Sequence, residues 1–103
     1  MNSQIRTLTT NRQGLTIIMS DAARKVHASI SVSFMPCNDG GLFSRTHFNS
    51  NVYAVMRFDD QVVLEECVGR AKTYAEANKI VRAYIKEHNL RQRCRDFIRR
   101  QAE

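Results

Sequence analysis

The most constraining feature of this sequence is a well-marked helix start at Thr73, followed by an amphipathic stretch that runs to His88. Thr73 and Glu76 have the spacing of a capping box, in which each side chain satisfies a backbone N–H that the first helical turn would leave unpaired. The apolar residues that follow recur at helical spacing: Tyr74, Ala77, Ile80, Val81, Tyr84 and Ile85. A single helix cannot bury such a stripe, so the rest of the chain must provide an apolar surface that receives it.

Size and charge narrow the class of protein. The chain has 103 residues, of which 43% are hydrophobic and 25% charged. These values are ordinary for a globular protein, and the length suits a single domain over residues 1–103. Sixteen Lys and Arg against ten Asp and Glu leave a formal net charge of +6, which creates a field that attracts anions. Nucleic acid, an acidic protein surface and anionic lipid are all compatible with this charge.

The cysteines indicate the compartment. Cys37, Cys67 and Cys94 are odd in number, lie far apart and form no CxxC pair. A disulfide framework requires an even count, so we expect a reducing environment. The N-terminal residues lack the apolar segment of a signal peptide, and no run approaches the roughly 20 apolar residues of a membrane span. We therefore expect a soluble, cytoplasmic protein with no membrane partner.

The first part of the chain predicts a hairpin. Residues 4–10 and 15–19 are rich in Thr, Ile and Leu and predict two short strands, with a turn over 11–14 between them. Residues 20–25 have two interpretations, a loop or one helical turn with Ser20 as its N-cap. We favour the loop because a clear strand follows.

That strand covers Val26–Phe34, where apolar and polar residues alternate strictly up to Pro36. The alternation predicts a strand of an antiparallel sheet with one buried face and one wet face. The predicted inward side chains are Val26, Ala28, Ile30, Val32 and Phe34. His27 lies on the other face, where we expect it to meet only water.

Residues 51–58 and 61–68 predict a second hairpin. A two-residue loop would place Gln61 and Glu65 among apolar side chains, and a slip of one residue exchanges the two faces of a strand. We therefore predict a three-residue loop over 59–61. Its register pairs Phe58 with Val62, Met56 with Leu64, Ala54 with Glu66 and Val52 with Val68. Residues 69–72 then lead into the capped helix, which covers the apolar side of the sheet.

The helix exit is predicted at His88–Asn89, and a second, strongly cationic helix follows. Its apolar stripe is Leu90, Cys94, Phe97 and Ile98, and its remaining surface carries Arg91, Arg93, Arg95, Arg99 and Arg100. Together with Lys79, Arg82 and Lys86 on the preceding helix, these arginines could bind a phosphate backbone through paired hydrogen bonds. An equally strong interpretation is a solvated face whose cations complement the C-terminal end of the helix dipole.

The longest irregular stretch, residues 36–51, mixes aromatic and cationic groups in Phe43, Arg45, His47 and Phe48. Such a set would suit stacking on unpaired bases with a cation nearby. More often, however, two Phe side chains in a long loop anchor that loop to the core, and we favour this interpretation. Both interpretations remain open at this point.

Chemistry beyond binding has little support. The Cys and His residues include no pair at the close spacing of zinc ligands, and no glycine-rich phosphate loop or catalytic motif is present. Cys37, Asp39 and His47 share a loop, but no nucleophile signature accompanies them. We therefore expect no metal, no cofactor and no enzymatic activity.

The hairpin YAVMRFDDQVVLEE followed by the helix start TYAEA is similar to the small sheet-plus-helix DNA-binding domains of phage-type integrases and AP2-like factors. The resemblance covers roughly 40 residues and is architectural. It implies DNA binding through the exposed sheet face, with Tyr53, Arg57, Val63 and Glu65 towards the groove. Because acidic side chains occupy that region, our predicted site remains on the helices.

The sequence thus predicts an α+β fold: an antiparallel sheet of three to five strands, built from two hairpins, covered by an amphipathic helix and followed by a short basic C-terminal helix. Two functions follow from the candidate residues. The first is a non-catalytic module that binds DNA or RNA through the arginine-rich helical face. The second is a protein-binding modulator or inhibitor, of the kind that mobile elements encode, which docks the same arginines and the Phe43 to Phe48 loop on an acidic partner.

Overall fold

The computed structural model describes residues 5–35 and 50–101 of the chain. Five strands form one antiparallel sheet in which each strand pairs with its neighbours in sequence, and two helices follow the sheet. The elements are β1 Arg6–Thr10, β2 Thr16–Asp21, β3 Val26–Ser33, β4 Ser50–Phe58, β5 Gln61–Ala71, α1 Tyr74–Glu87 and α2 Leu90–Arg100. The predicted α+β fold is confirmed. Among the described residues, no helix is long and apolar enough to cross a membrane.

Both helices contribute to one core on a single face of the sheet. α1 contacts β3, β4 and β5, while α2 contacts β2 and β3. The fully buried side chains from the strands include Ile17, Ile30 and Met56, and those from the helices include Val81 and Ile98. The sheet therefore supplies the apolar surface that the capped helix requires.

β3 has the predicted alternation. Ala28 and Ile30 are fully buried, and the other inward residues, Val26, Val32 and Phe34, are half-buried against the same core. The prediction that His27 meets only water was wrong. Its Nε2 lies 3.1 Å from an Oδ1 of Asp60, and its backbone N–H donates to Asp59 at 3.0 Å, so this side chain closes on the neighbouring turn.

The first hairpin turns at the predicted place. Gly14 has a φ of +103°, and a Cβ built on it would lie 2.6 Å from Cγ1 of Val32, so both its conformation and its surroundings require glycine. Leu15 follows the turn and is fully buried. β2 then continues to Asp21, beyond the predicted end, and residues 22–25 form the turn into β3, which agrees with the loop rather than a helical turn.

The second hairpin has a two-residue turn rather than the predicted three-residue loop. Asp59 and Asp60 have φ values of 48° and 72°, and Phe58 pairs with Gln61. Paired left-handed residues are typical of the turn that matches the twist of two strands, and Asp tolerates that conformation. The sequence prediction had rejected a two-residue turn because it would place Gln61 and Glu65 of β5 among the apolar side chains.

A β-bulge in β5 removes that difficulty. The register shifts by one residue between Met56 and Arg57, so that Met56 pairs with Leu64 and Ala54 with Glu66, as predicted. The extra residue restores the apolar residues of β5 to the inner face. A second shift pairs Val52 with Gly69 rather than with Val68, and β5 extends to Ala71 through residues that were predicted to be a connection.

α1 begins as the capping box predicts. Thr73 Oγ1 accepts the N–H of Glu76 at 3.2 Å, whereas Glu76 Oε1 accepts the N–H of Lys72 at 3.1 Å, one residue before the cap. Ala77, Val81 and Ile85 are the buried part of the predicted stripe. The helix ends at Glu87 with His88 as its C-cap, and Asn89 follows in the left-handed conformation with a φ of 53°, which confirms the predicted exit.

Candidate anion-binding surface

The position of α2 determines which way its arginines face. Leu90, Cys94 and Ile98 are fully buried, and the Phe97 ring stacks on Phe58 with a centroid distance of 4.3 Å. These contacts fix the rotation of the helix about its axis. The arginines are left on the two flanks of the buried stripe and on the outer side.

Helical geometry divides the arginines into two groups. Each residue advances about 100° around the axis, so Arg91, Arg95 and Arg99 follow one another along one flank at intervals of four residues. Arg93 and Arg100 lie on the other flank, beside Phe97, and we call this pair the far flank.

The charge of α2 is not neutralised locally. Asp96 is the one acidic residue of the helix, and its Oδ1 accepts a hydrogen bond from Gln92 Nε2 at 2.9 Å. None of the α2 arginines forms an ion pair with an acidic residue in the part of the chain that the structure describes. The guanidinium groups therefore keep their hydrogen-bond donors for water or a ligand.

The helix dipole accounts for only some of these arginines. Arg99 and Arg100 lie in the last turn of α2, where a cation interacts favourably with the helix end. Arg91 lies in the first turn of α2. Arg93 is the last residue of that turn, and its backbone N–H donates to Asn89 O at 3.3 Å. This turn holds no acidic residue within the described helix, so the dipole opposes both charges.

A concave site lies where the two helices meet. This interhelical cleft has a volume of about 350 Å³ and is lined by Arg82, Ile85, Lys86, Asn89 and Arg91. Ile85 is only 4% exposed and forms an apolar wall, whereas Lys86 is exposed and Arg91 half-buried. Among the described residues, the Asn89 side chain makes no capping hydrogen bond to α2. The cleft thus combines three cations, an amide and one apolar wall.

The first hairpin fixes the α1 side of this cleft. Arg82 Nη2 donates to Asn11 Oδ1 at 2.9 Å, and Asn78 Oδ1 accepts the N–H of Leu15 at 2.8 Å. Both contacts tie the same flank of α1 to the turn between β1 and β2. Arg82 is thereby held in place by a neutral partner that leaves its charge uncompensated.

Arg91 belongs both to the cleft and to one flank of α2, and we call the combined set of cations the basic stripe. It consists of Arg82, Lys86, Arg91, Arg95 and Arg99. Of the predicted site residues, Lys79 is exposed about two turns before Lys86 on α1, while the far flank is separated from the stripe by Gln92 and Asp96. Sequence reasoning missed this division and the roles of Ile85 and Asn89, although the four-residue spacing of three arginines was a readable signal.

The remaining predicted site residues are Phe43, Arg45, His47 and Phe48, and they lie outside the described residues. Their role stays a prediction.

The outer face of the sheet carries the residues that the architectural resemblance points to. Tyr53 and Arg57 pair with residues of β3 whose side chains alternate away from the core, and Arg57 Nη1 lies 3.5 Å from Ser31 Oγ. Glu65 lies on the same strand face, and Val63 is 43% exposed at the bulge. Of these four residues, Arg57 is the one cation and Glu65 carries the opposite charge, so the set that the resemblance points to provides a weaker anion site than the basic stripe does.

The described residues include two cysteines. Burial raises the pKa of the Cys94 thiol to about 11, against the opposing effect of Arg93 and Arg95. Cys67 is exposed. In the described ranges, no group of three His, Cys, Asp or Glu residues is arranged to hold a metal ion.

Comparison with protein-family models, with curated proteins and with solved structures gives no match for this chain. Its class is therefore defined by its own structure. It is an α+β protein whose five-stranded antiparallel sheet carries two helices on one face.

Proposed function

We propose that this protein is a non-catalytic module that binds nucleic acid through the basic stripe. The observation that carries the proposal is a row of five cations along two adjoining helices, none of which is paired with a described acidic residue. Four of the five are arginines, and the planar guanidinium group binds phosphate oxygens through two parallel hydrogen bonds.

The dimensions of the stripe support a phosphate backbone as the ligand. From Arg91 to Arg99 the helix rises about 12 Å. A duplex strand advances about 3.4 Å per phosphate along its axis, so this distance spans three to four phosphates. The contacts are to the backbone and carry no base readout, which predicts binding that is independent of sequence.

The test is a binding titration of the full chain with arbitrary duplex DNA, single-stranded DNA and RNA at several salt concentrations. Each neutralised phosphate contributes a slope of about −0.9 to the plot of log affinity against log salt. Five contacts therefore predict a slope of about −4.5 on duplex DNA, or a loss of about 500-fold in affinity between roughly 50 and 200 mM salt.

An acidic protein partner is the other outcome of this experiment. If no nucleic acid binds even at low salt, the stripe serves a protein surface and the proposal is wrong. A capture experiment with nuclease-treated and untreated lysate then distinguishes the cases, because partners that are held through nucleic acid disappear with nuclease and direct protein partners remain.

A further inference from the structure

We propose that the interhelical cleft binds a phosphate monoester at the end of a nucleic-acid strand, an inference that rests on the proposed function and names its preferred ligand. The cleft differs from the rest of the basic stripe because its three cations share one concavity. Arg82, Lys86 and Arg91 line one concavity of about 350 Å³, whereas Arg95 and Arg99 follow one another along an open helix flank.

The charge of the cleft matches a terminal phosphate. A phosphate inside a strand carries a single negative charge, whereas a phosphate monoester carries about −1.5 to −2 at neutral pH and three strong acceptor oxygens. Three cationic side chains line the cleft, and each has several N–H donors, of which Arg82 gives one to Asn11. This excess of charge and donors fits the monoester better than one internal phosphate.

The shape of the cleft leads to the same ligand. Its volume is near the lower end of the range for small-molecule sites, which is the size of one terminal nucleotide rather than a duplex. Ile85 offers an apolar surface for a sugar or base, and Asn89 offers an amide beside it. A strand end can enter such a concavity, whereas a continuous duplex backbone is convex and meets the open flank.

The cations of the cleft also repel one another in the free protein. Arg82 and Lys86 are four residues apart on α1, a spacing at which like charges destabilise a helix. Arg91 lies in the first turn of α2, where the dipole opposes a cation. An anion in the cleft relieves both effects, so ligand binding and local stability are coupled.

The experiment compares short single strands of identical sequence that end in a 5′-phosphate, in a 3′-phosphate or in hydroxyls at both ends. We expect the native chain to bind at least one phosphorylated strand about tenfold more tightly than the hydroxyl strand, since hydrogen bonds to a charged group are strong. Lys86→Gln and Arg91→Gln should abolish this preference. Lys86 is exposed, so its replacement leaves the core intact. Arg93→Gln removes the same charge outside the cleft and should keep the preference.

The outcomes separate the two proposals. Equal affinity for all three strands, with the steep salt dependence retained, overturns the cleft inference alone. A preference that survives both cleft variants also overturns it. If the native chain binds none of the three strands even at low salt, the proposed function is overturned together with the cleft inference. A phosphoserine peptide that binds more tightly than every strand would assign the cleft to a protein ligand and contradict the inference.

Discussion

Arg93 and Arg100 form a matched pair for testing whether the arginines of α2 serve the fold. Both are exposed, both lie on the far flank, and they are three and four residues from Asp96. They differ in lying at opposite ends of the helix. We therefore expect Arg93→Gln to stabilise the protein and Arg100→Gln to destabilise it, because the helix dipole opposes a cation in the first turn and favours one in the last.

The magnitude follows from the same interaction. A charge near a helix end contributes about 0.3–1 kcal/mol at low ionic strength. A change of 1 kcal/mol shifts the Tm of a domain of this size by about 4–8 °C, so each variant should shift by roughly 1 to 8 °C, in opposite directions. Arg and Gln have similar helix propensities, which keeps the backbone contribution small.

Thermal and urea unfolding at low and at high salt provide the assay. Both shifts should shrink in about 1 M salt, where the screening length falls to about 3 Å. If the two variants shift the Tm in the same direction, or if the shifts persist at high salt, the dipole does not distinguish these arginines and our electrostatic reasoning is refuted. Opposite signs would show that Arg93 opposes the stability of the fold.

Three further predictions concern the scaffold. Gly14→Ala should lower the free energy of unfolding, measured in urea titrations, by on the order of 2–3 kcal/mol. The residue has a positive φ, and the new Cβ would lie 2.6 Å from the Val32 side chain. An unchanged free energy of unfolding would contradict the described turn. Thr73→Ala should cost about 1 kcal/mol through loss of the bond to the Glu76 N–H, and Thr73→Ser should recover most of it. The raised pKa of Cys94 means that folding favours the protonated thiol, so its contribution to stability is full below pH 9 and is lost between about pH 9 and 11. Cys94→Ala should flatten this part of a pH–stability curve, and an unchanged curve would show that the thiol is not buried.

Local patterns in the sequence predicted the elements whose causes are local. The capping box at Thr73 fixed the start of α1, because its two partners lie three residues apart. The alternation of β3 likewise predicted which side chains face the core. Leu90, Cys94 and Ile98 predicted the buried side of α2 from their helical spacing alone.

The second hairpin shows where such reasoning fails. The turn depends on Asp59 and Asp60 both adopting a left-handed conformation, and the bulge in β5 then corrects the register by one residue. Neither feature leaves an apolar pattern in the sequence. A prediction that assumes an uninterrupted ladder must choose one register for the whole hairpin, whereas the protein uses three.

The candidate site was predictable in composition but not in arrangement. The number of arginines identified the cationic helix. The four-residue spacing of Arg91, Arg95 and Arg99 indicated that these three lie on one flank of it. The interhelical cleft depends on the chain direction that Asn89 sets between α1 and α2, and on the anchoring of Arg82 by Asn11. The bond between Arg82 and Asn11 is a tertiary contact between residues 71 positions apart, and no local pattern in the sequence indicates it.

The central claim is that position on the basic stripe, and not net charge, governs binding. The most direct measurement compares the salt dependence of duplex DNA binding for Arg95→Gln/Arg99→Gln and for Arg93→Gln/Arg100→Gln, two variants that lose the same charge from the same helix. We predict that the slope falls from about −4.5 to about −2.7 in the first variant and stays near −4.5 in the second. Equal losses of slope and affinity in the two variants would contradict the account.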